Sequence, residues 1–460
     1  MSASFDPIER KMLDAGLPPV AVDTFRHYWD QLQSGTTGLV PEAEIEPVEA
    51  LPDLRALGDH EAEGRRALDA TVVVKLNGGL GTSMGMTRAK SLLPVKGDRC
   101  FLDVVAEQVL ALRADGGGRL PLVLMNSFRT RADSLARLSR HPRLGSDLPA
   151  DFLQHKVPRI RVDDGTAVSW PDDPAAEWCP PGHGDLYTAL VTSGMLDRML
   201  EGGYRYAFVS NADNLGAVLD PNLLGWFARE GLPFLMEVAD RTEADRKGGH
   251  LARRPGGGLL LRESAQCPAE DEAAFQDVER HRYFNTNSLW LHLPTLARVL
   301  EERDHVLGLP MIRNEKNVVP GDPDTPRVYQ LETAMGAAIA VFEGAQAVRV
   351  PRTRFAPVKT TDDLLVVRSD VYALSPRAEM LPTVAPDALP MVKLDPRFFR
   401  LVDDFDARFP AGPPSLRGCR RLEVRGDVHF GRDVVVAGSV EIEAPDDARR
   451  DVPDGSVLRG

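Results

Sequence analysis

Glycines at 78, 79, 81 and 85, then a lysine at 90, follow directly on a β-type run in TVVVKLNGGLGTSMGMTRAKSLLPV, residues 71–95. Backbone without Cβ atoms lets amide groups come close to phosphate oxygens. A lysine just beyond can reach back as a compact point charge. GxxxxGK followed by Ser or Thr is absent, and Gly79-Leu80-Gly81 precedes Gly85 at a spacing one residue too long for GxGxxG. Read alone, the loop serves equally as a tight turn and Lys90 more readily as a solvated lysine; together they favour a phosphate site.

Four further stretches carry candidate groups. PPGHGDLYTAL, residues 180–190, sets His183 and Asp185 at a helix start, where free amides and the dipole suit an anion. Asp185 reads as a simple N-cap, and His183, between two glycines, as a ligand contact. FVSNADNLGAVLD ends an apolar strand with Asn211, Asp213 and Asn214. A carboxylate there can hold Mg²⁺ against phosphates, although such clusters are also ordinary turns. FNTNSLWL places Asn285 and Asn287 in a strand, where asparagine is disfavoured and usually bonds something. Alternation puts both on one face, toward sugar hydroxyls or as buried amides. PRTRFAPVKTTDDLL carries Arg352, Arg354 and Lys359 between stiffening prolines, with Lys359 read as a second phosphate-neutralising cation.

These groups need a frame. Alternation of strand and helix is legible in TVVVKL, FLDVVAEQVLALRAD, LPLVLMNS, DLYTALVTSGMLDRMLEGG and YRYAFVS. That order predicts a mostly parallel, doubly wound sheet with ligands at the carboxyl ends of its strands. The helix after Asp185 is expected to run to Gly202–Gly203, and QLETAMGAAIAVFEG is expected to be an apolar helix. HLARRPGGGLLLRES reads as a hairpin in an antiparallel excursion. The expected organisation is a helical and extended segment over 1–70, a catalytic domain over 71–385, a linker over 386–417 and a β-solenoid over 418–460. The solenoid rests on Val-rich pieces punctuated by glycine, too few to stand alone.

Composition narrows the classes. Hydrophobic residues at 43% and charged residues at 27% are ordinary for a soluble globular chain. A formal net charge of −13 argues against nucleic acid as a partner. No apolar run is long enough to span a bilayer, and the start lacks a secretory h-region. Scattered Cys100, Cys179, Cys267 and Cys419 point to a reducing cytoplasm.

Six segments in this order, KLNGGLGTSMG, PPGHGD, FVSNADNLGA, FNTNSLW, QLETAMGAAI and RFAPVKTTDDLL, resemble the eukaryotic-type UTP–glucose-1-phosphate uridylyltransferases, or UDP-glucose pyrophosphorylases. The likeness runs from about Thr71 into the tail. It implies an α/β, Rossmann-like nucleotidyltransferase core with a mixed central sheet, plus a small C-terminal left-handed β-helix. It also implies UTP and glucose-1-phosphate as partners and Mg²⁺ as cofactor, and it makes the tail, which family members use for assembly, the place for a homo-oligomer without fixing the oligomeric state. By resemblance, Leu76, Asn77, Gly78 and Gly79 contact the nucleotide and Lys90 its phosphates. Gln154 and Gly182 read the uracil, and His183, Asn211, Asp213 and Asn287 face the sugar phosphate or ribose. Asp213 holds the metal, and Lys359 is the catalytic lysine over the transferring phosphate. Three places depart from the family pattern: MTRA stands where Gly-Pro is common before Lys90, Ser288 where a third asparagine is typical, and the tail VPDGSVLRG is shorter than the family's last segment. The rival readings are a pyrophosphorylase for another UDP-sugar or UDP-N-acetylhexosamine, a silent sugar-nucleotide binder, and a dehydrogenase. Against the last stand the glycine spacing and the want of an acidic residue closing LPLVLMNS.

Overall fold

The computed structural model describes residues 4–116, 118–319, 321–385, 388–446 and 448–460. The expected linker start at 386 falls on residues outside that set, as do residues 1–3.

Ten strands form the central sheet: β1 (Glu46–Pro47), β2 (Thr71–Asn77), β3 (Leu122–Asn126), β4 (Asp151–Leu153), β5 (Tyr206–Asn211), β6 (Phe234–Asp240), β7 (His250–Arg253), β8 (Leu259–Arg262), β9 (Tyr283–His292) and β10 (Gln346–Arg349). Their main path is β1-β7-β9-β5-β2-β3-β4, with β6 joining β9 to β10 and β8 pairing β7. The run β5-β2-β3-β4 is parallel, while β9 is antiparallel to both β5 and β6. The sheet is therefore mixed, and the excursion from β6 to β9 supplies its antiparallel half.

Val72, Val73 and Val74 are all buried because β2 is covered on both faces, as parallel strands require. Val73 joins a core with the helix Phe101–Ala114, and Val72 and Val74 join another with the helices Leu186–Thr192 and Met195–Glu201. These last two were expected as one helix. The chain breaks between them at Gly194, whose φ of 66° is left-handed. The expected helix QLETAMGAAIAVFEG is also different. Its first part lies in the strand Arg327–Thr333, paired along its length with Met311–Asn317, and only Met335–Ala340 is helical, as a 3₁₀ turn. Long-range pairing outweighs the local helical spacing there.

The helices Asp6–Asp14 and Pro19–Gln33 bury Ile8, Met12, Val22, Phe25 and Trp29 against Val157, Ile160, Cys179 and Leu331. Farther on, β1 enters the central sheet beside β7. At the other end, Met391–Leu394, Ser415–Arg425, Val435–Glu443 and Val457–Arg459 lie side by side in parallel. Their apolar residues, among them Leu416, Leu422, Val424 and Val436, continue the core of the Phe101–Ala114 face.

Candidate active site

The parallel strands all end on one edge of the sheet, and the motif residues lie just beyond those ends. A cleft of about 320 Å³ there is lined by Leu76, Asn77, Gly78, Gly79, Lys90, Ser91, Gln154, Pro180, Gly182, His183, Asn211, Ala212 and Asp213. Strand β2 delivers the glycine loop, β4 leads into Gln154, and β5 delivers Asn211 to Asp213. The loop is held by its own backbone: the Lys90 amide donates to the Gly79 carbonyl at 3.0 Å, and the Ser127 hydroxyl donates to that of Gly78 at 3.1 Å. A Cβ on Gly78 would overlap the Gln154 amide, so the loop and the Gln154 side chain fit only while residue 78 is bare.

At the centre of the cleft, Lys90 Nζ donates to Asp213 Oδ2 at 2.6 Å, with both side chains largely buried. Asn77 is oriented differently from the expected nucleotide contact. Its buried side-chain amide donates to Asn126 Oδ1 at 2.7 Å and Ser134 Oγ at 2.8 Å, so only its backbone is free to face the cleft. Strand alternation turns Leu76 and Asn77 to opposite sides.

His183 Nδ1 accepts from the Met335 amide at 2.9 Å, which leaves Nε2 to carry the proton as a donor. Burial pulls its pKa down to about 4 from 6.5. Between those values the unfolded chain binds a proton that the folded chain excludes, so stability falls as pH drops through that window. A histidine-to-glutamine change at 183 should flatten the fall in melting temperature between pH 6.5 and 4, and an unchanged slope would assign that fall to other groups.

Asp185 stands at the expected N-cap position of the helix Leu186–Thr192, but its side chain makes no capping bond to that helix. Instead it accepts from the His155 amide at 2.6 Å and pairs with His155 Nδ1 at 2.8 Å, behind Gln154. Asn285 and Asn287 do meet, through Asn285 Nδ2 donating to Asn287 Oδ1 at 2.8 Å. They do so across a bulge, with Asn287 at φ 57°, rather than by regular alternation.

Asn287 and Lys359 are not among the residues lining the cleft. The Lys359 segment is nevertheless tied to it. Pro357 pairs with Asn214, next to Asp213, and Asn214 Oδ1 accepts from the Ala356 amide at 2.9 Å. Arg354 is bound to Glu237 and Arg352 to Asp245, whereas Lys359 forms no ion pair among the described residues. Of that basic cluster, the Lys359 ammonium alone is without a direct carboxylate contact among the described residues, its electrostatic effect falling on Glu263.

Sequence reasoning missed Ser91 and Pro180 as lining residues. The Ser91 hydroxyl is buried without a hydrogen-bond partner among the described residues, and its place beside Lys90 was the available signal. No group of three or more His, Cys, Asp or Glu residues able to hold a metal comes together among the described residues. Nor is any described helix long and apolar enough to cross a membrane.

The sequence profile of the UTP–glucose-1-phosphate uridylyltransferases matches residues 22–437. The chain belongs to that family. Among its uridylyltransferase relatives, the probable enzyme of Schizosaccharomyces pombe is 41% identical over 396 residues, covering 86% of this chain and 77% of the relative. The Solanum tuberosum enzyme is 38% identical over 434 residues, covering 94% and 87%. In structure, a variant of the Leishmania major UDP-glucose pyrophosphorylase in complex with UDP-glucose superposes with a TM-score of 0.92 at 43% identity. The match covers 100% of this chain and 98% of that one. The uridylyltransferase fold thus accounts for the mixed central sheet.

Proposed function

We propose that the chain transfers the uridylyl group of UTP to glucose-1-phosphate, giving UDP-glucose and pyrophosphate. The observation that carries this reading is the convergence of the glycine loop, Gln154, Gly182, His183, Asn211, Asp213 and Lys90 on one cleft in a uridylyltransferase. An oxygen of the sugar phosphate attacks the α-phosphorus of UTP in line. The bond from that phosphorus to the bridging oxygen breaks, and pyrophosphate leaves with the electron pair. A phosphate monoester has a second pKa of about 6, so the nucleophile is anionic at neutral pH and needs no strong base. The remaining task is to bring two polyanions together and absorb the charge of the leaving group, by position and electrostatics.

In this reading the amides of residues 77–79 and the Lys90 ammonium receive the phosphates, while Gln154 and the Gly182 backbone take the uracil edge. His183 Nε2–H, Asn211 and Asn287 face the ribose and sugar phosphate, and Lys359 closes over the transferring phosphoryl group. Asp213 is the carboxylate for Mg²⁺. One carboxylate, substrate oxygens and waters suit this ion, which usually keeps several waters, so the scarcity of acidic neighbours is compatible with it. When bound, Mg²⁺ supplies charge neutralisation at the phosphates. A phosphate chain would then draw Lys90 away from Asp213 and free the carboxylate for the ion.

The parallel strands after Met391 fit a small left-handed β-helix, and the exposed Val457 in its last strand fits pairing between copies of the chain. Four free thiols suit a reducing cytoplasm.

Pyrophosphate release with UTP, ATP, CTP and GTP, against glucose-1-phosphate, galactose-1-phosphate and N-acetylglucosamine-1-phosphate, tests the reading. UTP with glucose-1-phosphate should be fastest; preference for another sugar phosphate would move the chain to a sister activity. Gly78→Ala should raise the KM for UTP about tenfold, because the added methyl displaces the Gln154 amide. An unchanged KM would detach Gln154 from the base.

A further inference from the structure

Beneath the cleft lies a charged group that the proposed chemistry does not use. Lys75 sits in the middle of β2, 2% exposed, in a run otherwise made of valines and leucine. Its ammonium donates to Ser210 Oγ at 2.6 Å and to the Ala217 carbonyl at 2.8 Å, and it lies 5.6 Å from the centre of the Phe208 ring. No carboxylate forms an ion pair with it among the described residues. Burial lowers its pKa to about 7, with the Arg354 charge adding to the depression and Glu237 and Asp213 opposing it. An apolar residue of similar length would fill this place at lower desolvation cost.

Arg354 approaches the same turn from the other side. Its guanidinium binds Glu237 through two bonds of 2.7 Å and donates to the Val218 carbonyl at 2.8 Å. Glu237 is further held by Trp290 Nε1 at 3.0 Å. Consecutive carbonyls, Ala217 and Val218, are thus gripped by two buried basic side chains. The turn they end begins at Asp213, and the loop that carries Arg354 runs on to Lys359. Asn214 stitches the two segments, donating to the Arg354 carbonyl at 3.2 Å.

We propose that Lys75 is a positioning residue for the transfer reaction: from the central strand it fixes the turn that bears Asp213 against the loop that bears Lys359. The inference rests on the uridylyltransferase reading above. Lys75 touches no substrate. It sets, through the shared turn, the separation of the carboxylate from the second lysine, and a displacement of about 1 Å in such a constellation can cost about a hundredfold in rate.

The test is Lys75→Met, which keeps length and volume and removes the cation, studied beside the wild type in the full chain. We expect kcat to fall about a hundredfold with KM for UTP and for glucose-1-phosphate within about threefold. Amide hydrogen exchange should quicken together in residues 212–218 and 353–359 while β3 stays protected. A variant that turns over within threefold of wild type, whatever its melting temperature, makes Lys75 merely structural and overturns the assignment. If the methionine variant does not fold, Ser210→Ala removes one of the two acceptors of the ammonium and should cost about tenfold in kcat. Wild-type kcat in that variant would equally overturn it. Absence of turnover in the wild type would instead sink the uridylyltransferase reading, and the paired change in hydrogen exchange would still decide the role of Lys75.

Discussion

Lys359→Ala is expected to slow uridylyl transfer by about a thousandfold, the scale seen when a preorganised charge is taken from a transition state. Stability should barely change. Lys359 is exposed and forms no ion pair among the described residues. Its backbone, not its ammonium, joins the local structure, with the amide donating to Asp363 Oδ2 at 2.8 Å at the start of the helix Thr361–Arg368. The loop stays in place through Pro357 and Asn214. Steady-state kinetics and a melting curve check both halves, and turnover within threefold of wild type would remove Lys359 from the mechanism.

Asp213→Ala should be of similar size, about a thousandfold in kcat, but by a different route. It deletes the carboxylate assigned to Mg²⁺ and leaves Lys90, with a side chain only 16% exposed, without its 2.6 Å partner. The metal requirement should therefore shift as well as the rate. Initial rates measured against Mg²⁺ concentration distinguish the two roles: saturation at much higher Mg²⁺ supports a ligand, and a wild-type saturation curve with reduced rate leaves Asp213 only as the partner of Lys90.

Much of the cleft was legible because its parts lie next to strand ends that sequence marks well. Val72 to Val74 announce a strand buried on both faces, and glycines directly after it announce a loop at the sheet edge. Phe208 and Val209 do the same for Asn211 to Asp213. What was missed depends on partners distant in sequence. Asn77 turns into the core because Asn126 and Ser134 await it there. The Asp185 side chain serves His155 rather than its own helix, a choice that a separation of 30 positions conceals. QLET has helical spacing but finds a strand to pair with. Lys75 passed as one residue of an apolar strand, since nothing local shows that Ser210 and Ala217 converge on its ammonium. The first seventy residues read as a helical and extended segment, with nothing local to show that β1 joins the central sheet.

The bulge in β9 sets a limit on how this chain can change. Against β6, Ser288 stands opposite Glu237 and Asn285 opposite Val238, so Thr286 and Asn287 are both surplus. Two is an even number. Parity survives the interruption, and Leu289 and Leu291 still face one core while Trp290 faces the other. Loss of one surplus residue would leave an ordinary one-residue bulge, and the left-handed turn at Asn287 would have to be rebuilt to keep both faces in register. Removing Thr286 and Asn287 together would keep the two core-facing sets in place but would abolish the Asn285–Asn287 contact.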